Sequence, residues 1–166
     1  MPFARRPVLR YVGRGWYESL HPVEYVGATD AITIPAGTRT DLASVPRIFW
    51  WLLPPTGVYE DAAFVHDVGC NQLRDGTCAL TSRDVDGLFR RIVREDQEAE
   101  PRRHRGVDVA TRWWLWSGVR LGALANPHRR SQWWRDGWLA LLILAATLAV
   151  AGGVVYALDR LAHWIV

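Results

Sequence analysis

The chain has 166 residues, a formal net charge of +3 and no lysine. Without lysine, Schiff-base and lysine-nucleophile chemistries are excluded. The small net charge, with no basic stripe interleaved with base-stacking aromatic residues, argues against a nucleic-acid partner. The length predicts one domain with some chain left over. No apolar run marks a signal peptide at the N-terminus, so the two cysteines, Cys70 and Cys78, are expected to be reduced thiols, although a disulfide between them stays open.

Short runs of β-branched and aromatic residues predict a small antiparallel β layer in the N-terminal part of the chain. The runs cover residues 8–12, 16–20, 23–26 and 31–34, and the turns G-R-G and G-A-T-D between them suit hairpins. A short helix over residues 47–53 is predicted next, because Pro46 suits a first helical turn.

Helical spacing of apolar residues predicts three further helices. One covers residues 59–70, and one begins at Thr81, whose spacing to Asp84 resembles a capping box. The apolar positions of that second helix are Val85, Leu88, Phe89, Ile92 and Val93. The polar stretch 95–105, with Pro101, is expected to end it. A third helix over residues 107–125 is either an interfacial helix or an amphipathic helix that covers the core.

Residues 137–158 carry no charge, and roughly 20 apolar residues match the length needed to cross about 30 Å of hydrocarbon. Tryptophans are typical of membrane interfaces, and those predicted to anchor the chain are Trp113, Trp114, Trp116, Trp133, Trp134 and Trp138. Arginines before the span are Arg120, Arg129, Arg130 and Arg135, whereas only Arg160 follows it. The positive-inside rule therefore predicts a tail-anchored protein of the inner (cytoplasmic) membrane, with its N-terminal domain in the cytoplasm.

The predicted fold class is α+β, with a small N-terminal antiparallel β layer, three to four helices and a C-terminal transmembrane helix. The expected domains are an α+β cytoplasmic domain (1–126), a basic Trp-rich juxtamembrane linker (127–136), the transmembrane helix (137–158) and a short translocated tail (159–166). Small residues recur every four positions within the span, at Ala145, Ala149 and Gly153. Such a stripe lets helices approach closely, so the lipid bilayer and a second copy of the chain are the expected partners.

His66 and Asp67 are adjacent on one predicted helix, so their side chains point about 100° apart and can do different jobs. Asp86 on the following helix can accept a hydrogen bond from one imidazole nitrogen, which leaves the other to take a proton from water. Asp67 would then be available to bind a hard cation such as Ca²⁺ through oxygen. This arrangement is typical of a hydrolase in which His66 and Asp86 are catalytic.

Other interpretations of these residues stay open. His66 and Asp86 can simply hold two helices together, and a zinc site from His66 and the two cysteines lacks a clear fourth ligand. No G-x-S-x-G surrounds Ser44, so a serine nucleophile is not expected there. Asp41 and Arg47 are most simply a structural pair across their loop.

Two resemblances rest on these motifs. T-D-L-A-S-V-P-R (40–47), followed by A-A-F-V-H-D and S-R-D-V-D-G-L-F, resembles an uncharacterised family of phage and prophage proteins. H-D-V-G-C (66–70) and R-D-V-D-G-L-F (83–89) resemble, more locally, the prokaryotic secreted phospholipase A-two fold. That second resemblance implies that His66 is a general base, Asp86 its orienting partner and Asp67 a calcium ligand, although Cys70 stands where that family has tyrosine.

The leading hypothesis from the sequence is a tail-anchored phage or prophage protein that hydrolyses phospholipids or esters with the help of calcium. The alternative is a non-catalytic phage membrane or virion protein, involved in lysis, superinfection exclusion, assembly or genome entry. Calcium is the only cofactor expected, and no nucleic acid is expected as a partner.

Overall fold

The computed structural model describes residues 2–42, 57, 59–104 and 107–165, without the side chains of 159 and 163–165. The α+β class is confirmed, with antiparallel strands followed by helices. The predicted helix over residues 47–53 lies outside the described residues.

Five short strands make up the N-terminal part. They are β1 (Leu9–Gly13), β2 (Trp16–Ser19), β3 (Val23–Val26), β4 (Ala31–Ile34) and β5 (Arg39–Thr40). They form two antiparallel sheets, β1-β2-β5 and β3-β4, rather than a single layer. The β1–β2 turn requires left-handed backbone, which Gly13 and Gly15 adopt at φ of 98° and 81°. The described bounds of β3 and β4 are those predicted.

Within the described residues, four α-helices and one 3₁₀ helix follow. They are α1 (Glu60–Arg74), α2 (Ser82–Ala99), α3 (Val109–Ala125), the 3₁₀ helix (Arg130–Arg135) and α4 (Gly137–Ile165). The predicted capping box at the start of α2 is present, with Thr81 and Asp84 exchanging hydrogen bonds. The predicted apolar stripe of α2 is confirmed as core, because all five of its residues are at most 3% exposed.

Helix α2 ends at Ala99, within the polar stretch 95–105 that was expected to end it. Asp96 lies in its last turn and is 2% exposed. Its carboxylate lies 2.8 Å from Arg6 Nη2 and 2.8 Å from His104 Nε2. The polar segment is therefore helical because its acidic face is buried against basic groups from elsewhere in the chain.

Helix α4 has two parts with different surroundings. Its first two turns pack on the domain, where Ala140 is fully buried and Ile143 and Leu144 are half-buried. From Ala145 onward every described side chain is exposed. By length and composition, residues Gly137–Ala162, with mean hydropathy 2.4, are sufficient to cross a membrane. The uncharged part of α4, residues 137–158, measures roughly 33 Å at 1.5 Å per residue, which is close to the thickness of a bilayer core.

Candidate functional site

The imidazole of His66 meets the carboxylate of Asp86, as the sequence predicted. His66 Nε2 lies 2.8 Å from Asp86 Oδ1 and joins α1 to α2. The two helices come close here because Gly69 faces Val85, where a Cβ on Gly69 would lie 2.9 Å from Val85 Cγ1. The ring of Phe89 stands edge-on to the imidazole at 5.6 Å between centroids.

Asp86 has further partners that the sequence analysis missed. It is fully buried, and its Oδ2 lies 3.0 Å from Arg120 Nη1, while Oδ1 also accepts from Arg129 Nη2. Arg120 is fully buried and Arg129 is 6% exposed. Both guanidinium groups also lie 3.4 Å from the hydroxyl of Ser82. Asp86 is thus the centre of an ion cluster rather than the partner of His66 alone.

The cluster continues to the start of α4. Arg120 Nε donates to Asp136 Oδ1 at 2.7 Å, and Asp136 Oδ2 lies 3.0 Å from Arg83 Nε. Arg120 Nη2 donates to the carbonyl of Gln132 at 2.8 Å, and Trp133 Nε1 donates to the carbonyl of Arg120 at 3.0 Å. We call His66, Asp86, Arg120, Arg129 and Asp136 the buried ion network.

The sequence analysis counted Arg120 and Arg129 among the arginines that orient the chain in the membrane. Both side chains instead lie inside the protein. A signal for this was present, because Arg120 is an isolated charge in the otherwise apolar stretch W-L-W-S-G-V-R-L-G-A-L. Arginine is almost never fully buried unless it is paired, so such a residue calls for a buried carboxylate partner.

The protonation of His66 follows from its surroundings. Burial lowers the pKa of the imidazole, but Cys70 and the hydrogen bond to Asp86 raise it by more, to about 9. Cys70 Sγ lies 3.8 Å from Nδ1 and 3.7 Å from Nε2. Near neutral pH the ring is therefore mostly an imidazolium, which is an ion-pair partner for Asp86 and not a free base.

Asp67 has a different environment, beside the end of β5. Burial raises the pKa of its carboxyl group to about 6, although hydrogen bonds to the Thr40 side chain and the Asp41 backbone lower it. Its Oδ2 atom is buried without a hydrogen-bond partner. Asp41 therefore lies next to Asp67, whereas Ser44 and Arg47 lie outside the described residues.

The donors available for a metal ion are few in the described part of the chain. Within residues 2–42, 57, 59–104 and 107–165, no group of three or more His, Cys, Asp or Glu side chains could hold a metal ion. Ca²⁺ takes six to eight oxygen ligands, and Asp67 supplies one unsatisfied oxygen. Cys70 and Cys78 are both free thiols in the structure.

The six tryptophans predicted to anchor the chain differ in exposure. Trp116 and Trp133 are buried, at 5% and 3% exposed, and they contact protein rather than solvent. Trp113 and Trp114 are half-buried on α3. Trp134 and Trp138 are 78% and 56% exposed and flank the start of α4.

Comparison with known proteins gives one family. The model of a protein family of unknown function, DUF1353, matches residues 17–119, which is more than half of the chain. The match includes His66, Asp67 and Asp86, while Arg120, Arg129 and Asp136 of the buried ion network follow it. Neither a curated protein nor a solved structure matches the chain. The chain with this His-Asp pair and its buried arginines thus belongs to the DUF1353 family of proteins of unknown function.

Proposed function

We propose that this protein is a non-catalytic membrane protein whose α+β domain is fixed rigidly to a membrane-spanning α4. The observation that carries the proposal is the continuity of the buried ion network. It runs from His66 on α1, through Asp86 and Arg120, to Asp136, the residue that immediately precedes α4. A charged chain of this kind specifies one arrangement of helices, because moving any member leaves a buried charge unpaired.

The chemistry of His66 supports a structural role. Both oxygens of Asp86 accept from guanidinium groups, so the carboxylate is shared by the buried ion network and does not serve His66 alone. The side chain of His66 is 11% exposed, and its pKa is raised to about 9. A general base that works near neutral pH needs a pKa near that pH.

The setting of this function is a phage or prophage and the inner membrane. The phage or prophage origin rests on the resemblance of residues 40–47 and the two later motifs to phage and prophage proteins. The assignment to the inner membrane rests on charge: with Arg120 and Arg129 in ion pairs, the exposed Arg130 and Arg135 precede α4, and Arg160 lies near its C-terminal end, after the uncharged residues 137–158. This distribution favours a cytoplasmic domain. A reporter fused after Val166 should therefore be active outside the cytoplasm, and cytoplasmic activity would overturn the orientation.

The experiment that tests the non-catalytic role compares stability and activity in detergent-purified full-length protein. His66→Gln should lower the free energy of unfolding by about 1–3 kcal/mol, because Asp86 loses a charge-assisted hydrogen bond. The exposed His128 provides the control, and His128→Gln should change the free energy of unfolding by less than about 0.5 kcal/mol. The wild type should release no fatty acid from phospholipid vesicles. Release that a folded His66→Gln variant lacks would overturn the proposal.

A hydrolase is the second candidate, and two observations favour it. Nε2 of His66 is held on Asp86 at 2.8 Å, which leaves Nδ1 as the nitrogen available to a substrate water. Asp67, the next residue, has a buried oxygen without a hydrogen-bond partner. In this candidate His66 is the general base, Asp86 positions it, and Asp67 offers a carboxylate oxygen to calcium.

The assay for the hydrolase is fatty-acid release from mixed phospholipid vesicles, with calcium or with chelator. Because His66 must lose its proton to act as a base, the rate should rise with pH towards about 9. Asp67→Asn separates the candidates further. In the hydrolase it abolishes calcium-dependent release, whereas in the structural protein it stabilises the fold above about pH 6, because a desolvated charge is removed.

A further inference from the structure

A second polar site lies apart from the buried ion network, between α2 and the first half of α3. It is a cavity of about 320 Å³ that contains four arginines and no carboxylate. Its lining residues are Gly87, Arg90, Arg91, Arg94, Val109, Arg112 and Trp113. We call it the arginine pocket.

Two of the four guanidinium groups already have acidic neighbours. Arg91 pairs with Asp30 and also donates to the hydroxyl of Thr29. Arg94 lies 3.8 Å from Glu98 and 3.9 Å from Glu95. These two arginines are therefore held in place at the edge of the pocket while part of their charge is neutralised.

The other two arginines are not neutralised by the protein. In the part of the chain that the structure describes, neither Arg90 nor Arg112 has a carboxylate within ion-pair distance. The Nε atom of Arg90 is buried and has no hydrogen-bond partner. Burial, together with the charges of Arg94, Arg112 and Arg91, lowers the pKa of Arg90. An unpaired donor among like charges is destabilising by itself, so an anion at this place would relieve it.

The orientation of Arg90 is fixed before any ligand arrives. Its guanidinium carbon lies 4.0 Å from the ring centroid of Trp113, in a cation–π contact across the two helices. A guanidinium held in this way loses little conformational entropy on binding. Its planar fork of donors matches the oxygens of a phosphate, which it can bind with two parallel hydrogen bonds.

We propose that the arginine pocket binds a phosphate group through Arg90 and Arg112, with Arg91 and Arg94 adding positive charge at its edge. The cavity volume lies at the lower end of the range for small-molecule sites, so it suits a single phosphorylated group. That group belongs either to a soluble phosphate compound or to the head of an anionic phospholipid. The site uses no residue of the buried ion network, so its test is independent of the proposed function.

The test uses the full-length protein in nanodiscs of phosphatidylcholine, titrated with inorganic phosphate at constant ionic strength, with heat of binding as the readout. The wild type should show saturable binding. Arg90→Gln and Arg112→Gln should each weaken it by about tenfold or more, the effect of a lost charge-assisted hydrogen bond. Arg39→Gln removes an equal charge from an exposed strand position and should leave binding unchanged.

A second set of nanodiscs, containing phosphatidylglycerol as well, identifies the source of the phosphate. A lipid headgroup is the source if the wild type binds inorganic phosphate more weakly in these nanodiscs than in phosphatidylcholine alone. The control is a titration with chloride, which should give the same signal in both sets of nanodiscs. Unchanged binding of inorganic phosphate assigns the pocket to a soluble phosphate compound. Absence of saturable binding, or equal weakening by Arg39→Gln, would overturn the site.

Discussion

At the scale of single residues, Asp86 is the carboxylate on which the ion network depends. It is fully buried and contacts one imidazole and two guanidinium groups. Asp86→Asn keeps the shape but leaves Arg120 and Arg129 short of a counter-charge, and we expect a loss of about 3–5 kcal/mol in the free energy of unfolding. Chemical denaturation of the detergent-solubilised chain measures it.

The control for Asp86 is Asp75, whose side chain is 58% exposed and pairs with Arg74. Asp75→Asn should change the free energy of unfolding by less than about 1 kcal/mol, as for other surface ion pairs. Equal losses in the two variants would mean that the network is not a special source of stability.

His66 predicts a pH dependence. Its folded-state pKa is raised to about 9 from the usual 6.5, so the imidazolium is favoured by folding. Its contribution is fully present below about pH 6.5 and is lost as the pH rises through about 9. The contribution is at most roughly 3 kcal/mol at 1.36 kcal/mol per unit of pKa.

Thermal unfolding between pH 6 and 9.5 tests this dependence. The melting temperature of the wild type should fall across that interval, and His66→Gln should show a flatter profile. A wild-type profile as flat as that of the variant would show that the imidazolium is not stabilised in the fold.

The sequence predicted the pair of His66 with Asp86 because both lie on strongly patterned helices whose apolar faces must meet. It did not predict Arg120 or Asp136 as their partners. A sequence shows which charges exist, but the pairing of charges about 34 and 16 residues apart depends on how α3 turns back through the 3₁₀ helix.

At the scale of elements, the close approach of α1 and α2 depends on Gly69. Gly69→Ala favours the helix by roughly 1 kcal/mol through propensity, but its Cβ would lie 2.9 Å from Val85 Cγ1. We expect a net loss of about 1–2 kcal/mol, because overpacking costs about 1–3 kcal/mol. Equilibrium unfolding of the Gly69→Ala variant measures the change in the free energy of unfolding.

Two further variants isolate the cause. In a Val85→Ala background the clash disappears, so Gly69→Ala should become neutral or stabilising. Gly122 on α3 has no atom within 4 Å of its Cβ position, so Gly122→Ala should stabilise by about 0.5–1 kcal/mol. Destabilisation by Gly69→Ala that persists in the double variant would reject the close contact as the reason.

Elements with strong local patterns were the most predictable. The capping box and apolar stripe of α2 are local features, and the described bounds of β3 and β4 follow from short runs of β-branched and aromatic residues between turns. The short β5 was not predicted, because two residues carry no pattern of their own and pair only through β2. Helix α4 extends beyond residue 158, where the uncharged span ends, and includes the charged residues Asp159 and Arg160.

At the scale of the whole molecule, α4 divides at residue 144 into a packed part and an exposed part. A chain that ends at Leu144 should keep the domain folded and leave the membrane fraction. A chain that ends at Asp136 also loses the buried Ala140, so it should be the less stable of the two. Sedimentation of lysates and thermal unfolding of the two truncated chains measure both properties. Persistent membrane association of the 144-residue chain would make the exposed Trp134 and Trp138 the anchor.

Helix α4 follows Asp136 directly, and Asp136 is clamped by Arg120. The small residues Ala145, Ala149 and Gly153 therefore face one fixed direction relative to the domain. The reason is that an unbroken helix cannot rotate about its axis independently of its first turn. Two copies that joined along that stripe would face each other in a single orientation. One residue inserted after Leu144 would turn each stripe by about 100° against its domain, and so change which surfaces of the paired domains meet.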